Sequence, residues 1–239
     1  MSKTILVTGA SSGIGRSIAI ACAKCGHAVV LTGRNEGRLE ETRAQMAGDG
    51  HIIIPADLTD GAQRRALAEN VPVLKGVVHC AGIGSRVLCK MLEPDDVRHV
   101  MEANFSAPVL LQTALLQEKK IAAGSSIVFI ASAAAFMPSV GNAIYSASKG
   151  ALISYAKCLA LELAPRKIRV NCISPAMVWT NLALVGSTEE QLREAEQAYP
   201  LKRYAQPEDI ASMAVYLLSD ESAWITGSNY ELTGGAQTL

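Results

Sequence analysis

The chain has 239 residues, 49% of them apolar, and its 22 basic residues balance 22 acidic ones to a formal net charge of zero. That length suits one α/β domain with a full core. No Lys/Arg-rich block and no apolar stretch long enough to span a bilayer occur, so nucleic acid and membrane are excluded as partners, and the lack of a leader-like start predicts a cytoplasmic protein.

Apolar strand-like runs at residues 4–7, 28–32, 51–55, 76–80, 126–131, 169–174 and 229–232 alternate with helix-like stretches at 13–25, 36–47, 60–69, 94–118, 143–163 and 207–218. Most of the runs are continuously apolar, which suits strands covered on both faces. The alternation predicts a doubly wound, seven-stranded parallel sheet of Rossmann type. No repeat, low-complexity tract or linker divides it, so the whole chain reads as a single domain.

The first strand runs into Thr8-Gly9-Ala10-Ser11-Ser12-Gly13-Ile14-Gly15, which opens the first helix. Glycines let a backbone turn tightly and approach a pyrophosphate, whose charge is favoured by free amides and the positive end of a helix. The spacing is G-x-x-x-G-x-G rather than G-x-G-x-x-G, although the strand-turn-helix context is the one that fingerprint requires. After the second strand, where a carboxylate would bind a ribose 2′-hydroxyl, the chain reads Gly33-Arg34-Asn35. Arg34 suits a 2′-phosphate, so NADP is preferred. A strand ending later would hand the acidic role to Glu36 and favour NAD.

Tyr145 and Lys149 lie four residues apart on a helix-like stretch, thirteen residues beyond Ser132 at a strand end. That spacing stacks both side chains on one helical face, where an ammonium favours the ionised form of a phenol. An amphipathic helix carries Tyr and Lys at this spacing for no reason at all, and only the nucleotide loop upstream argues for chemistry. The six cysteines fall in apolar segments and read as reduced thiols, Cys22 and Cys25 included despite their CxxC spacing near His27, and no metal-ligand set is evident.

Taken in order, the loop from Thr8 to Gly15, Asp57, Ala81-Gly82, Asn104, Ser132, Tyr145, Lys149 and Ser174-Pro175 resemble the short-chain dehydrogenase/reductase family, in the group that includes bacterial ketoacyl-carrier-protein reductases. The resemblance covers nearly the whole chain. It implies an oxidoreductase in which Tyr145 is the general acid, Ser132 donates to the carbonyl oxygen, and Lys149 binds the nicotinamide ribose. Asn104 would kink its helix and hold a relaying water. It further implies that Gly9, Ser11, Ser12, Gly13, Ile14 and Gly15 carry the phosphates and that Asp57 and Leu58 hold the adenine. Ala81 and Gly82 would pass the ribose, and Pro175, Val178 and Thr180 would meet the nicotinamide end. Asp57 reads equally well as a turn or cap residue.

Two departures from the family pattern stand out: His79-Cys80 replace two asparagines whose side-chain amides would stabilise the loop, so that it is either held otherwise or softer, and Ala176 stands where glycine is usual. His79 follows Val77-Val78 and reads as a satisfied core histidine. Residues 176–200 form a lid-like insertion with a capping box over 187–190 and a short helix at 191–198. Its lining of Met177, Trp179, Leu182, Leu184 and Val185 favours an uncharged or apolar substrate, and the resemblance implies a carbonyl or alcohol, a 3-ketoacyl thioester first, with a hydroxysteroid, sugar or other small carbonyl as the alternative. Long apolar helices at 94–118 and 143–163 predict a homo-oligomer, dimer or tetramer, and the closing tail to Leu239 has the reach to enter another subunit's site.

Overall fold

Every apolar run read as a strand enters one parallel sheet of order β3-β2-β1-β4-β5-β6-β7 in the computed structural model, which describes residues 3–184 and 188–236. The strands are β1 (Thr4–Thr8), β2 (Ala28–Thr32), β3 (Ile52–Ile53), β4 (Leu74–His79), β5 (Ile121–Ile130), β6 (Arg169–Pro175) and β7 (Asn229–Leu232). The helices among the described residues are α1 (Gly13–Lys24), α2 (Glu36–Arg43), α3 (Gly61–Asn70), α4 (Pro94–Met101), α5 (Ala107–Gln117), α6 (Ala143–Leu163), α7 (Glu189–Glu196) and α8 (Pro207–Leu218). No described helix is long and apolar enough to cross a membrane.

Side chains alternate between the two faces of the sheet and build two cores. Leu6, Val77, Ile127 and Phe129 meet α3, α5 and α6 on one face, and Ile5, Val7, Leu31, Val78 and Val128 meet α1, α2 and α8 on the other. Strand order reverses between β1 and β4, which carry the chain in opposite directions across the sheet. In open α/β sheets the crevice outside the strand carboxyl ends at that reversal is where ligands bind.

Several boundaries differ from the sequence reading, α2 ending at Arg43 and not at 47 among them, and three differences have a physical reason. β5 begins at Ile121, because Ile121 pairs with Leu74 through an irregular register that the exposed Ala123 and Gly124 (φ +71°) had hidden. The third strand contracts to Ile52–Ile53, with only Val30 and Leu31 to pair with at the sheet edge. The long helix expected at 94–118 is interrupted by a π turn at Glu102–Ser106. Pro108 has no amide hydrogen to continue the α ladder, and a widened turn resolves the break.

Candidate active site

The loop from Gly9 to Gly15 lies at the sheet reversal and its shape admits little but glycine. Gly13 has φ +51°, and a Cβ there would also lie 3.1 Å from Thr180 Cγ2. A Cβ on Gly15 would land on the Gly9 carbonyl, so α1 starts directly against the loop. Ser12 is the N-cap of α1, yet its side chain makes no capping bond among the described residues. First-turn amides in that state offer an anion ready-made donors. The cradle and its donors fit the pyrophosphate of a dinucleotide.

β2 ends at Thr32, and Glu36 is the first residue of α2, beyond the Asn35 cap whose Oδ1 accepts the Arg38 amide at 2.9 Å. Arg34 is therefore the charged residue nearest the strand end, and it is exposed. Asp57 stands close enough for the Arg34 charge to be felt there. Its carboxyl is held below the ordinary range, first by the Thr59 hydroxyl and amide it accepts and then, more weakly, by Arg34. Leu58, beside it, is buried. Asp60, not Asp57, caps α3.

The two asparagines absent at His79-Cys80 are replaced in an unexpected way. Thr8 Oγ1, buried at the end of β1, accepts the amides of Cys80 at 2.9 Å and Ala81 at 3.0 Å, so the loop after β4 hangs from the neighbouring strand. Burial pushes the Cys80 thiol up to about 12. His79 does lie in the core, stacked on Phe129 at 4.6 Å with Nε2 at 3.0 Å from Gln112 Oε1. The expectation of a satisfied histidine needs correction: His79 Nδ1 and Gln112 Nε2 are buried without partners among the described residues. Burial lowers His79 to about 4, keeping it neutral.

The loop continues into Gly82-Ile83, where Asn104 takes hold. From the π turn, Asn104 Oδ1 accepts the Ile83 amide at 2.8 Å, and Nδ2 donates to the Ile83 carbonyl at 2.9 Å and Ser148 Oγ at 3.2 Å. Ser148 in turn donates to the Tyr145 carbonyl at 2.7 Å, joining this loop to the first turn of α6. Lys149 is buried, with Nζ donating to the Ile130 carbonyl at 2.9 Å and lying 5.9 Å from the centroid of the Tyr145 ring. A Cβ on Gly82 would come within 3.4 Å of that nitrogen. Ser132, two residues beyond β5, accepts the Ala134 amide at 3.1 Å, which leaves its hydroxyl proton to donate elsewhere. Sequence reasoning missed Thr8 and Ser148 as organisers, because a lone hydroxyl carries no signal until its partners are in place.

Beyond β6, whose last residue Pro175 is buried, Ala176 continues the ladder by donating its amide to Leu232 O at 3.0 Å, so alanine fits there without strain. Val178 bridges to Ala205, and Thr180 faces Gly13. The capping box forms at Thr188 and Gln191, one residue later than expected, and the helix runs Glu189–Glu196. Ser187, Val185 and residues 237–239 lie outside the described residues.

Only part of the expected lid lining faces the cleft. Leu182 reaches the β4 loop, where a Cβ on Gly84 would lie 2.9 Å from its Cδ1. Trp179 instead anchors α7: its Nε1 donates to Glu196 at 2.9 Å, with Arg193 over the ring at 5.3 Å and Tyr204 against it at 5.8 Å. Met177 lines a separate hollow of about 290 Å³ with Tyr199, Ile210 and Leu232.

A glycine loop, a buried lysine and a tyrosine gathered at the reversal of a doubly wound sheet define a dinucleotide-binding oxidoreductase. A family model described as Enoyl-(Acyl carrier protein) reductase matches residues 9–237. The chain is 33% identical over 234 residues to 3-oxoacyl-(acyl-carrier-protein) reductase FabG of Rickettsia conorii, covering 98% of this chain and 96% of that protein. It is 31% identical over 241 residues to human Dehydrogenase/reductase SDR family member 4, covering 98% and 87%. Among solved structures, the actinorhodin polyketide ketoreductase with NADPH superposes with a TM-score of 0.89 at 30% identity, covering 98% and 97%. A dehydrogenase/reductase from Sinorhizobium meliloti 1021 gives 0.90 at 31%, covering 98% and 95%. The chain belongs to the short-chain dehydrogenase/reductase family and is an NAD(P)-dependent enzyme acting on carbonyl or CH–OH groups.

Proposed function

We propose that this enzyme is an NADPH-dependent ketone reductase with Tyr145 as its general acid. The observation that carries the reading is the placement of Lys149, buried between the Ile130 carbonyl, Gly82 and the Tyr145 ring. A buried ammonium is costly unless its surroundings use it, and here it faces the phenol that must part with a proton. Bound nicotinamide supplies the hydride.

Tyr145 gives its proton to the substrate oxygen, and the Lys149 charge stabilises what develops on the phenol as it does so. Ser132, its hydroxyl proton free, donates to the same oxygen. Asn104 holds the Gly82-Ile83 loop and α6 in register through Ile83 and Ser148. The loop Gly9–Gly15 and Thr180 hold the phosphates, Arg34 takes the 2′-phosphate, Asp57 and Leu58 border the adenine, and Ala81, Pro175 and Val178 line the path to the nicotinamide.

Leu182 closing on Gly84 makes an apolar approach to the site, which favours an uncharged substrate. A 3-ketoacyl thioester is the first candidate, supported by the similarity to FabG, and a steroid, sugar or other small carbonyl is the alternative. Loss of NADPH absorbance over a panel of an acetoacetyl thioester, simple ketones and steroids tests the substrate, and silence on the thioester removes the first candidate. Tyr145→Phe should bind NADPH normally and lose at least about 100-fold in kcat, a scale expected for a general acid. Unchanged turnover by that variant would refute the assignment.

A further inference from the structure

We propose that Arg16 and Thr42 are positioning residues that hold the carbonyl side of the glycine loop so that its amide side faces the dinucleotide pyrophosphate. The proposal rests on reading Gly9–Gly15 as the phosphate site. A loop that presents N–H groups to an anion must dispose of its carbonyls, because a carbonyl turned the same way would repel the charge.

Two of those carbonyls are held from behind. Thr42 Oγ1 lies 2.9 Å from the Ala10 carbonyl and donates to it, and Arg16 Nη2 donates to the Ser11 carbonyl at 2.7 Å. The two side chains are themselves joined, Arg16 Nε donating to Thr42 Oγ1 at 3.0 Å, which uses a lone pair of the hydroxyl and leaves its proton for a carbonyl. Thr42 is completely buried in α2. Its other acceptor is the Arg38 carbonyl one turn back at 3.0 Å, so the one hydroxyl proton lies between its own helix and the loop.

The same Arg16 nitrogen has further partners on α2. Nη2 pairs with Glu41 at 3.1 Å and approaches the Arg38 carbonyl at 3.4 Å. Arg16 is thus an internal brace between α1 and α2, and the exposed Arg34 is left for a 2′-phosphate. Because α2 begins just past Gly33-Arg34-Asn35, one cluster sets the distance between the pyrophosphate loop and the residue proposed to read the adenosine ribose.

The geometry predicts a defect that Arg34 cannot cause. Pyrophosphate is common to NADPH and NADH, so Arg16→Gln and Thr42→Val should each raise the calorimetric Kd of both cofactors by the same factor, about tenfold for one lost charge-assisted or buried hydrogen bond. Thr42→Ser, which keeps the hydroxyl, should restore wild-type Kd values. Arg34→Leu should weaken NADPH alone. Melting temperatures measured alongside separate a general loss of stability from a binding defect.

Variants that melt lower yet bind both cofactors as the wild type does would overturn the proposal, leaving Arg16 and Thr42 as mere scaffolding. A loss on NADPH alone in Arg16→Gln would overturn it too, by showing that Arg16 meets the 2′-phosphate itself. A wild-type protein that binds NADH and not NADPH would refute the 2′-phosphate reading, and the brace is then judged on the NADH values.

Discussion

Acidification between pH 6.5 and pH 4 should weaken this protein chiefly through His79. Its imidazole is stacked on Phe129 and, among the described residues, reaches only Gln112 and leaves Nδ1 without a partner. Burial lowers it to about 4, whereas an imidazole in the unfolded chain titrates near 6.5. Across that window the unfolded chain takes up a proton that the folded chain refuses, so stability rises with pH and is lost as pH falls. The gap, at about 1.4 kcal/mol per pH unit, comes to about 3 kcal/mol by pH 4, a large share of a typical domain's stability.

His27 is also lowered, chiefly by desolvation, and contributes in the same direction. The carboxylates of Asp57, Asp60, Asp209 and Asp220 are lowered as well, by hydrogen bonds in each case, and their stabilisation disappears only at still lower pH. A difference measurement isolates His79. Urea unfolding of wild type and His79→Asn, at fixed protein concentration from pH 4.5 to 8, should show the wild type losing stability relative to the variant as pH falls, since the variant lacks this proton uptake. Parallel curves through the window would refute the reasoning, whatever the offset between them.

Other expectations follow from single contacts. Thr8→Val should cost about 2 kcal/mol or more in urea unfolding by stranding the Cys80 and Ala81 amides, and Thr8→Ser should recover most of it. Arg34→Leu should raise the KM for NADPH by about 10- to 100-fold and leave that for NADH unchanged, the scale of a lost charge-assisted contact. The exposed stripe of Ala147, Ser154, Cys158 and Leu161 on α6, with Leu161 79% exposed, is the face on which we expect a second copy to pack. Leu161→Glu should then lower the sedimentation coefficient, and a wild-type monomer at micromolar concentration would remove the expectation.

What could be read from the residues, and what could not, divides on the range of the interaction. Five of the seven strands and five of the six long helices were legible at near-correct bounds because continuous apolar runs and capped starts are local signals. The π turn was not, since one proline decides it within an otherwise periodic stretch. In the site, Tyr145 and Lys149 were visible as a spacing, whereas what places them came from residues far apart in sequence: Ile130 under Lys149, Asn104 between Ile83 and Ser148, Thr8 under Cys80 and Ala81. Hydroxyls and amides of this kind look like ordinary turn or surface residues until the sheet brings their partners within 3 Å. The departure at His79-Cys80 illustrates the point. Without the two asparagines the loop had to be either softer or held in another way, and it is held by a hydroxyl on another strand, while the first of the two positions carries a histidine that burial keeps neutral.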